Sequence, residues 1–201
     1  MTGRRYRRVK RAFDLIVCAV IAPLALPVLV LIAIGIAIDS RGPVIFTQLR
    51  TGRDGERFRM FKFRTMVRNA EELKSSLQHL NIVPPPDFKI IDDPRITRIG
   101  GMLRKTSLDE LPQLLNVLRG EMTFVGPRPT SFDSSTYDLW HTERLEVVPG
   151  ITGLWQIFGR NTTTFDERLR LDIAYVRGMS FLLDLKIIAL TFAAVATRAG
   201  A

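Results

Sequence analysis

Residues 15–38 form the dominant feature of the hydrophobic pattern: 24 positions without a charge, 21 of them apolar, interrupted only by Pro23, Pro27 and Gly35. As a straight helix this run would reach about 36 Å, enough to cross a hydrocarbon core of about 30 Å. Pro23 and Pro27 each remove a helix hydrogen bond near the middle, so the pattern predicts a kink or break there. Residues 44–49 and 57–64 read as two strands, with Arg53-Asp54-Gly55 as the turn of a hairpin between them. Residues 69–80 read as a polar helix, and Pro84-Pro85-Pro86 as a loop or polyproline segment. Near the C-terminus, residues 181–196 hold 13 apolar positions in 16, interrupted by Asp184, Lys186 and Thr191. A helix of that length covers about 24 Å, too short to span comfortably, so it packs in the core or lies at a membrane interface.

Charge changes how the long apolar run is read. Residues 4–11 carry Arg4, Arg5, Arg7, Arg8, Lys10 and Arg11, and eight further cations follow between Arg41 and Arg68. Residues 1–68 thus hold 14 Lys/Arg against 4 Asp/Glu, or +10, whereas the remainder holds 15 against 16, or −1. Cationic flanks favour the cytoplasmic side of a membrane. Both flanks are cationic here, and a bent segment that enters and leaves by one face satisfies both. Its arms of about 12 residues would each reach about 18 Å. A signal peptide cleaved near Gly35-Ile36-Ala37, an ordinary spanning helix and a buried soluble helix are the competing readings. The expected division is a basic arm and re-entrant helix over residues 1–40, then a catalytic domain over 41–201.

The 201 residues, 46% hydrophobic and 24% charged, can bury a sizeable core. One cysteine and two histidines exclude a disulfide framework and a Cys/His zinc cluster. Cys18 lies inside the apolar run as a small hydrophobe, and His141 reads as a surface residue. The densest candidate for chemistry is Arg104-Lys105-Thr106-Ser107-Leu108-Asp109-Glu110-Leu111-Pro112-Gln113-Leu114. A capping box with Ser107 as N-cap and Glu110 three residues on would explain it structurally, although Pro112 then sits too deep in the helix. With a helix starting near Asp109, both carboxylates sit at the positive end of the dipole, where they stay ionised and suit a nucleophile or metal ligand. In Gly126-Pro127-Arg128-Pro129, two prolines fix the backbone around an arginine, the side chain that grips phosphate bidentately. Pro149-Gly150-Ile151-Thr152-Gly153 and Gly159-Arg160-Asn161 are further fixed loops, the second with a cation. Lys62 and Arg64 lie on one face of the second strand, as phosphate contacts or as the charges of a solvated edge.

Taken in order, Lys10-Arg11-Ala12-Phe13-Asp14, Phe46-Thr47-Gln48, Phe61-Lys62-Phe63-Arg64-Thr65-Met66, residues 103–114, Gly126-Pro127-Arg128-Pro129 and Pro149-Gly150-Ile151-Thr152-Gly153 resemble the bacterial sugar transferases, that is, monotopic polyprenyl-phosphate phosphoglycosyl transferases. The resemblance covers about residues 9–195. It implies an α+β, mainly helical fold with an N-terminal re-entrant membrane helix, a short β-hairpin and amphipathic interfacial helices around a small catalytic domain. It also implies transfer of a phospho-sugar from a UDP-sugar to polyprenyl (undecaprenyl) phosphate, with release of UMP, through a covalent intermediate on an aspartate. This is the first membrane step of exopolysaccharide, O-antigen or glycoconjugate synthesis. Carried over by motif, Asp109 is the nucleophile, and Glu110, with Asp109, holds Mg²⁺. Lys62, Arg64, Arg104, Arg128 and Arg160 contact phosphate. The expected location is the cytoplasmic face of the bacterial cell (inner) membrane, with anionic lipid as a further partner and no nucleic acid. The family commonly has Ser-Pro at the membrane bend. Here Pro27 matches the proline, Leu26 stands in place of the serine, and Pro23 is extra. Starting at Met1 with a basic stretch, the sequence reads as a complete small form, with a catalytic module of a longer protein as the alternative. A basic membrane-binding scaffold without catalysis is the alternative.

Overall fold

The computed structural model describes residues 3–83, 88–158 and 164–199, with side chains through residue 195. The triple-proline segment and Arg160 lie outside the described residues. Helix α1 (Gly3–Asp39) runs unbroken through Pro23 and Pro27. Of the kink or break expected from two prolines, a break in the helix is absent. Spaced four residues apart, they fall on one helix face, so the opposite face keeps its hydrogen bonds. The most apolar 18-residue window of α1 has a mean hydropathy of 3.0, and only 11% of it is buried. Leu24, Leu26, Leu31 and Ile38 are among its exposed side chains.

Both ends of α1 rest on the same globular body. Near the N-terminal end, Arg11 donates to the carbonyls of Val117 and Leu118, and Asp14 accepts from the Thr123 hydroxyl. Tyr6 and Lys10 both donate to Asp184 at 2.7 Å, and Tyr175 donates to the other oxygen of that buried carboxylate. At the far end, Asp39 accepts from the Ile99 amide, and Ile36 packs in a core cluster with Phe63 and Leu103. The centre of the helix is left largely uncovered.

The hairpin forms as the pattern predicts: β1 (Ile45–Thr51) pairs antiparallel with β2 (Arg57–Phe63), in a register that sets Phe46 opposite Lys62 and Arg50 opposite Phe58. Asp54 turns the chain with a positive φ of 56°. Residues 69–80 do not form the expected regular helix but short 3₁₀ turns at Glu72–Lys74 and Gln78–Leu80. The Ser75 and Ser76 hydroxyls donate back to the carbonyls of Glu72 and Leu73, competing with the helical ladder.

Helix α2 (Arg98–Thr106) leads through a 3₁₀ segment (Leu108–Gln113) into α3 (Leu114–Arg119). Strands β3 (Thr123–Val125) and β4 (Gly150–Thr152) pair in parallel, followed by α4 (Leu154–Phe158), α5 (Phe165–Gly178) and α6 (Phe181–Ala199). Helix α6 packs one side into the core and leaves apolar surface on another. Asp184 and Ile187 are buried, whereas Leu182 and Phe192 project apolar surface outwards, 79% and 70% exposed. His141 is not a surface residue. It is buried, its Nδ1 accepts from the Asp138 amide, and the rings of Tyr137, Trp140 and Phe165 surround it.

Candidate active site

Three segments converge, each for a local reason. Strand β2 carries Lys62 and is pinned by buried Asn116, which accepts from the Phe61 amide and donates to the Arg59 carbonyl. The second segment is the junction after α2. Ser107 adopts a left-handed conformation, φ 59°, which ends that helix and redirects the chain. The capping box is therefore not formed: the Ser107 side chain caps nothing, and Glu110 turns away to Lys62 and Arg128. In the 3₁₀ segment residues three apart share a face. Leu108 and Leu111 pack against the Phe63–Leu103 cluster, which leaves Asp109 and Glu110 on the other faces.

The third segment is Gly126-Pro127-Arg128-Pro129. It fits tightly against Gly150, where a Cβ would run into the Gly126 amide nitrogen, so glycine is required at the contact. The prolines bring no N–H groups, but the Gly126 amide donates to the Thr152 carbonyl at 2.8 Å and the Arg128 amide to Asp172, and the carbonyls hold the rest of the loop. Pro127 accepts from the Gly150 amide at 2.9 Å and Thr130 from the Thr51 amide at 2.9 Å. Between them, Pro129 accepts from Arg50 Nη1 at 3.4 Å, and Arg128 accepts from Arg144 Nη2.

The resulting cluster is dense in charge and largely shielded from water. Lys62 Nζ donates to Glu110 Oε1 at 2.8 Å and lies 4.0 Å from Asp109 Oδ2. Arg128 grips Glu110 with both terminal nitrogens, Nη2 on Oε1 and Nη1 on Oε2. Burial alone would push Glu110 up, but Arg128 and Lys62 outweigh it and hold the carboxyl well below the usual range. The charge of Glu110 in turn raises Arg128. Asp109 differs: burial raises it, opposed by Lys62.

Of the residues singled out from the sequence, Lys62, Asp109, Glu110 and Arg128 are thus brought together. Arg104 stands nearby, donating from Nε to Thr65 Oγ1, with its charge acting on Asp109. Arg64 is not brought in: its Nη2 donates to the carbonyl and hydroxyl of Ser40, at the end of α1. As ligands for Mg²⁺ the site offers two adjacent carboxylates. No group of three His, Cys, Asp or Glu that could hold a metal exists among the described residues. That donor set fits an ion whose remaining ligands are substrate phosphates and water, the usual habit of Mg²⁺.

Beside Arg128 opens a pocket of about 280 Å³, whose lining includes Arg50, Arg168, Phe132, Trp155 and Phe165. Burial and the neighbouring Arg128 lower Arg50 to about 10. Arg50, Asn116, Arg144 and Asp172 were not singled out from the sequence. For Arg50 a signal existed, since the hairpin register and period two place it on the face that carries Lys62.

The chain matches the family described as bacterial sugar transferase over residues 5–198. It is 50% identical to the galactosyl transferase CpsE of Streptococcus agalactiae over 162 residues, 80% of this chain and 36% of that protein. It is 42% identical to the UDP-galactose-lipid carrier transferase of Erwinia amylovora, across 97% of this chain and 42% of that protein. The exopolysaccharide production protein ExoY of Sinorhizobium fredii is 41% identical across 95% of this chain and 87% of its own length. The chain therefore spans about two-fifths of the first two relatives and most of the third. With its match nearly end to end, this chain belongs to the bacterial sugar transferase family.

Proposed function

We propose that the protein transfers a phospho-sugar from a UDP-sugar to a polyprenyl phosphate, with Asp109 as the attacking group. The observation that carries this reading is the arrangement around the adjacent carboxylates. Glu110 is held on both oxygens by Lys62 and Arg128, while Asp109 has Lys62 only at 4.0 Å and, among the described residues, accepts no hydrogen bond. Glu110 is immobilised, whereas Asp109 is free to bond. In the first step an Asp109 carboxylate oxygen bonds to the β-phosphorus of the donor, the bridging P–O bond breaks, and the electron pair leaves with UMP. In the second, a phosphate oxygen of the polyprenyl acceptor attacks the same phosphorus, and the carboxylate of Asp109 departs. Arg104, Arg128 and Lys62 offset the charge of the phosphoryl oxygens, the main requirement when one anion attacks another. Mg²⁺ held by Asp109 and Glu110 would supply further neutralisation of those oxygens. The pocket beside Arg128, with Arg50 at its wall, gives room for the nucleotide.

Relatives named as undecaprenyl-phosphate galactose and glucose phosphotransferases, in Salmonella typhimurium and Komagataeibacter xylinus, support the acceptor class. Purified protein supplied with Mg²⁺, polyprenyl phosphate and a panel of UDP-sugars is expected to release UMP with at least one of them. No release with any would leave the scaffold reading, a basic membrane-binding protein without catalysis.

The same proposal places α1 in the cytoplasmic face of the cell membrane as a re-entrant helix. A spanning helix would separate its ends by about 30 Å of hydrocarbon, yet one small body holds both ends. Cysteines introduced singly at Arg5 and Glu56, in a Cys18→Ala background, are therefore expected to label from the same side. Labelling from opposite sides would refute the re-entrant arrangement.

A further inference from the structure

Arg128 can face Glu110 only if the backbone between its two prolines is held, and the hold on its own carbonyl comes from Arg144. This arginine is 2% exposed and belongs to the 3₁₀ segment Leu139–Glu146. It donates to Asp172 Oδ2 from Nε at 3.1 Å and from Nη2 at 2.6 Å, and Asp172 on α5 is 3% exposed. Its Nη1 donates to the Tyr137 hydroxyl at 3.2 Å, and Nη2 reaches the Arg128 carbonyl. One planar fork thus engages a carboxylate, a phenol and the loop that carries Arg128, a set of directions no ammonium can reproduce.

A buried ion pair is in itself a weak source of stability, because the cost of desolvating two charges rivals their attraction. Here the pair does something more specific: the buried carboxylate orients a guanidinium whose remaining donor fixes the position of Arg128. We propose that Arg144, aligned by Asp172, is a positioning residue for the reaction, aiming the Arg128 guanidinium at Glu110 and the transferred phosphate. This rests on the phosphoglycosyl transfer reading above. The line of contact runs from α5 through Arg144 and the Arg128 backbone to the carboxylates, so the packing of α5 is linked to the geometry of the reacting centre.

A double-mutant cycle tests it, using Arg144→Lys, Arg128→Lys and the double variant, with kcat for UMP release and the thermal midpoint measured for each. Arg144→Lys alone is expected to lower kcat about tenfold, within the range of coupled neighbours. In the Arg128→Lys background the same change is expected to cost less than about twofold, because the group it positions is already altered. Asp172→Asn, which keeps the side-chain shape, is carried through the same cycle as the second variant. Arg177→Gln, which breaks the exposed pair with Glu143, serves as the control and should leave kcat unchanged. Losses that simply multiply in the double variants, or full activity in Arg144→Lys, would overturn the positioning role. A wild-type protein that releases no UMP would instead defeat the transfer reading itself.

Discussion

Asp109→Asn is expected to lower UMP release by at least about 10³-fold, because removing a covalent nucleophile leaves only binding and charge stabilisation. Incubated with a reactive UDP-sugar, the wild-type protein should gain the mass of a hexose phosphate at Asp109, and the variant should gain none. Retained turnover in the variant would eliminate Asp109 as the attacking group. The same substitution should raise thermal stability at neutral pH. Burial lifts the folded pKa of Asp109 above its ordinary value of 3.8. For such an acid the ionised form is less favourable in the fold than in the unfolded chain, so stability is lost as pH rises through the ordinary value and into the raised one. Asparagine removes that loss. The gain in thermal midpoint should be present at pH 7 and vanish below about pH 3.8, where the wild-type side chain is protonated in both states. Greater stability with lost function is the usual mark of a group placed for chemistry.

Arg128→Ala is the second large expected effect, and here activity and stability fall together. Truncation leaves Glu110 buried with Lys62 as its close partner, and breaking a buried pair by removing one member costs about 3–5 kcal/mol. Loss of one preorganised donor to the phosphoryl oxygens should cost a further factor of about 10²–10³ in kcat. Thermal unfolding and UMP release measure the two losses separately. The stability loss has a pH signature. The folded pKa of Glu110 is depressed, so its ion-pair contribution is fully present above its ordinary value of 4.5 and fades only as pH falls through the depressed one. The gap between wild type and Arg128→Ala should therefore stay constant from neutral pH down to about pH 5 and narrow in stronger acid. A gap independent of acid would mean that Glu110 is not the partner that matters.

The elements readable from the sequence were those whose signal is local. The hairpin announced itself by alternation and an Asp-Gly turn, and the long helix by its uncharged run. Helix α5 was missed because charges break up its apolar spacing, although Thr164 and Glu167 form a capping box that sequence alone could have revealed. In the site, Asp109 and Glu110 are adjacent in the chain, and Arg128 is framed by prolines, so both could be found in one dimension. Arg144 could not. Its meaning comes from a carbonyl 16 residues away and a carboxylate 28 residues away. Arg64 shows the opposite limit, since period two put it beside Lys62 while the end of the long helix supplied a nearer acceptor. Pro23 and Pro27 leave the helix continuous, because two hydrogen bonds lost on one side of a 37-residue helix do not end it.

The seating of α1 at both ends has a consequence for the surrounding lipid. Ile36 packs in one cluster with Phe63, and Asp39 is one hydrogen bond from α2, the helix that leads to Asp109 and Glu110. With α1 inserted as proposed, these contacts would fix the depth of that end relative to the globular body. On that proposal, adjustment to bilayer thickness would fall to the acyl chains around the helix, at fractions of a kcal/mol per ångström.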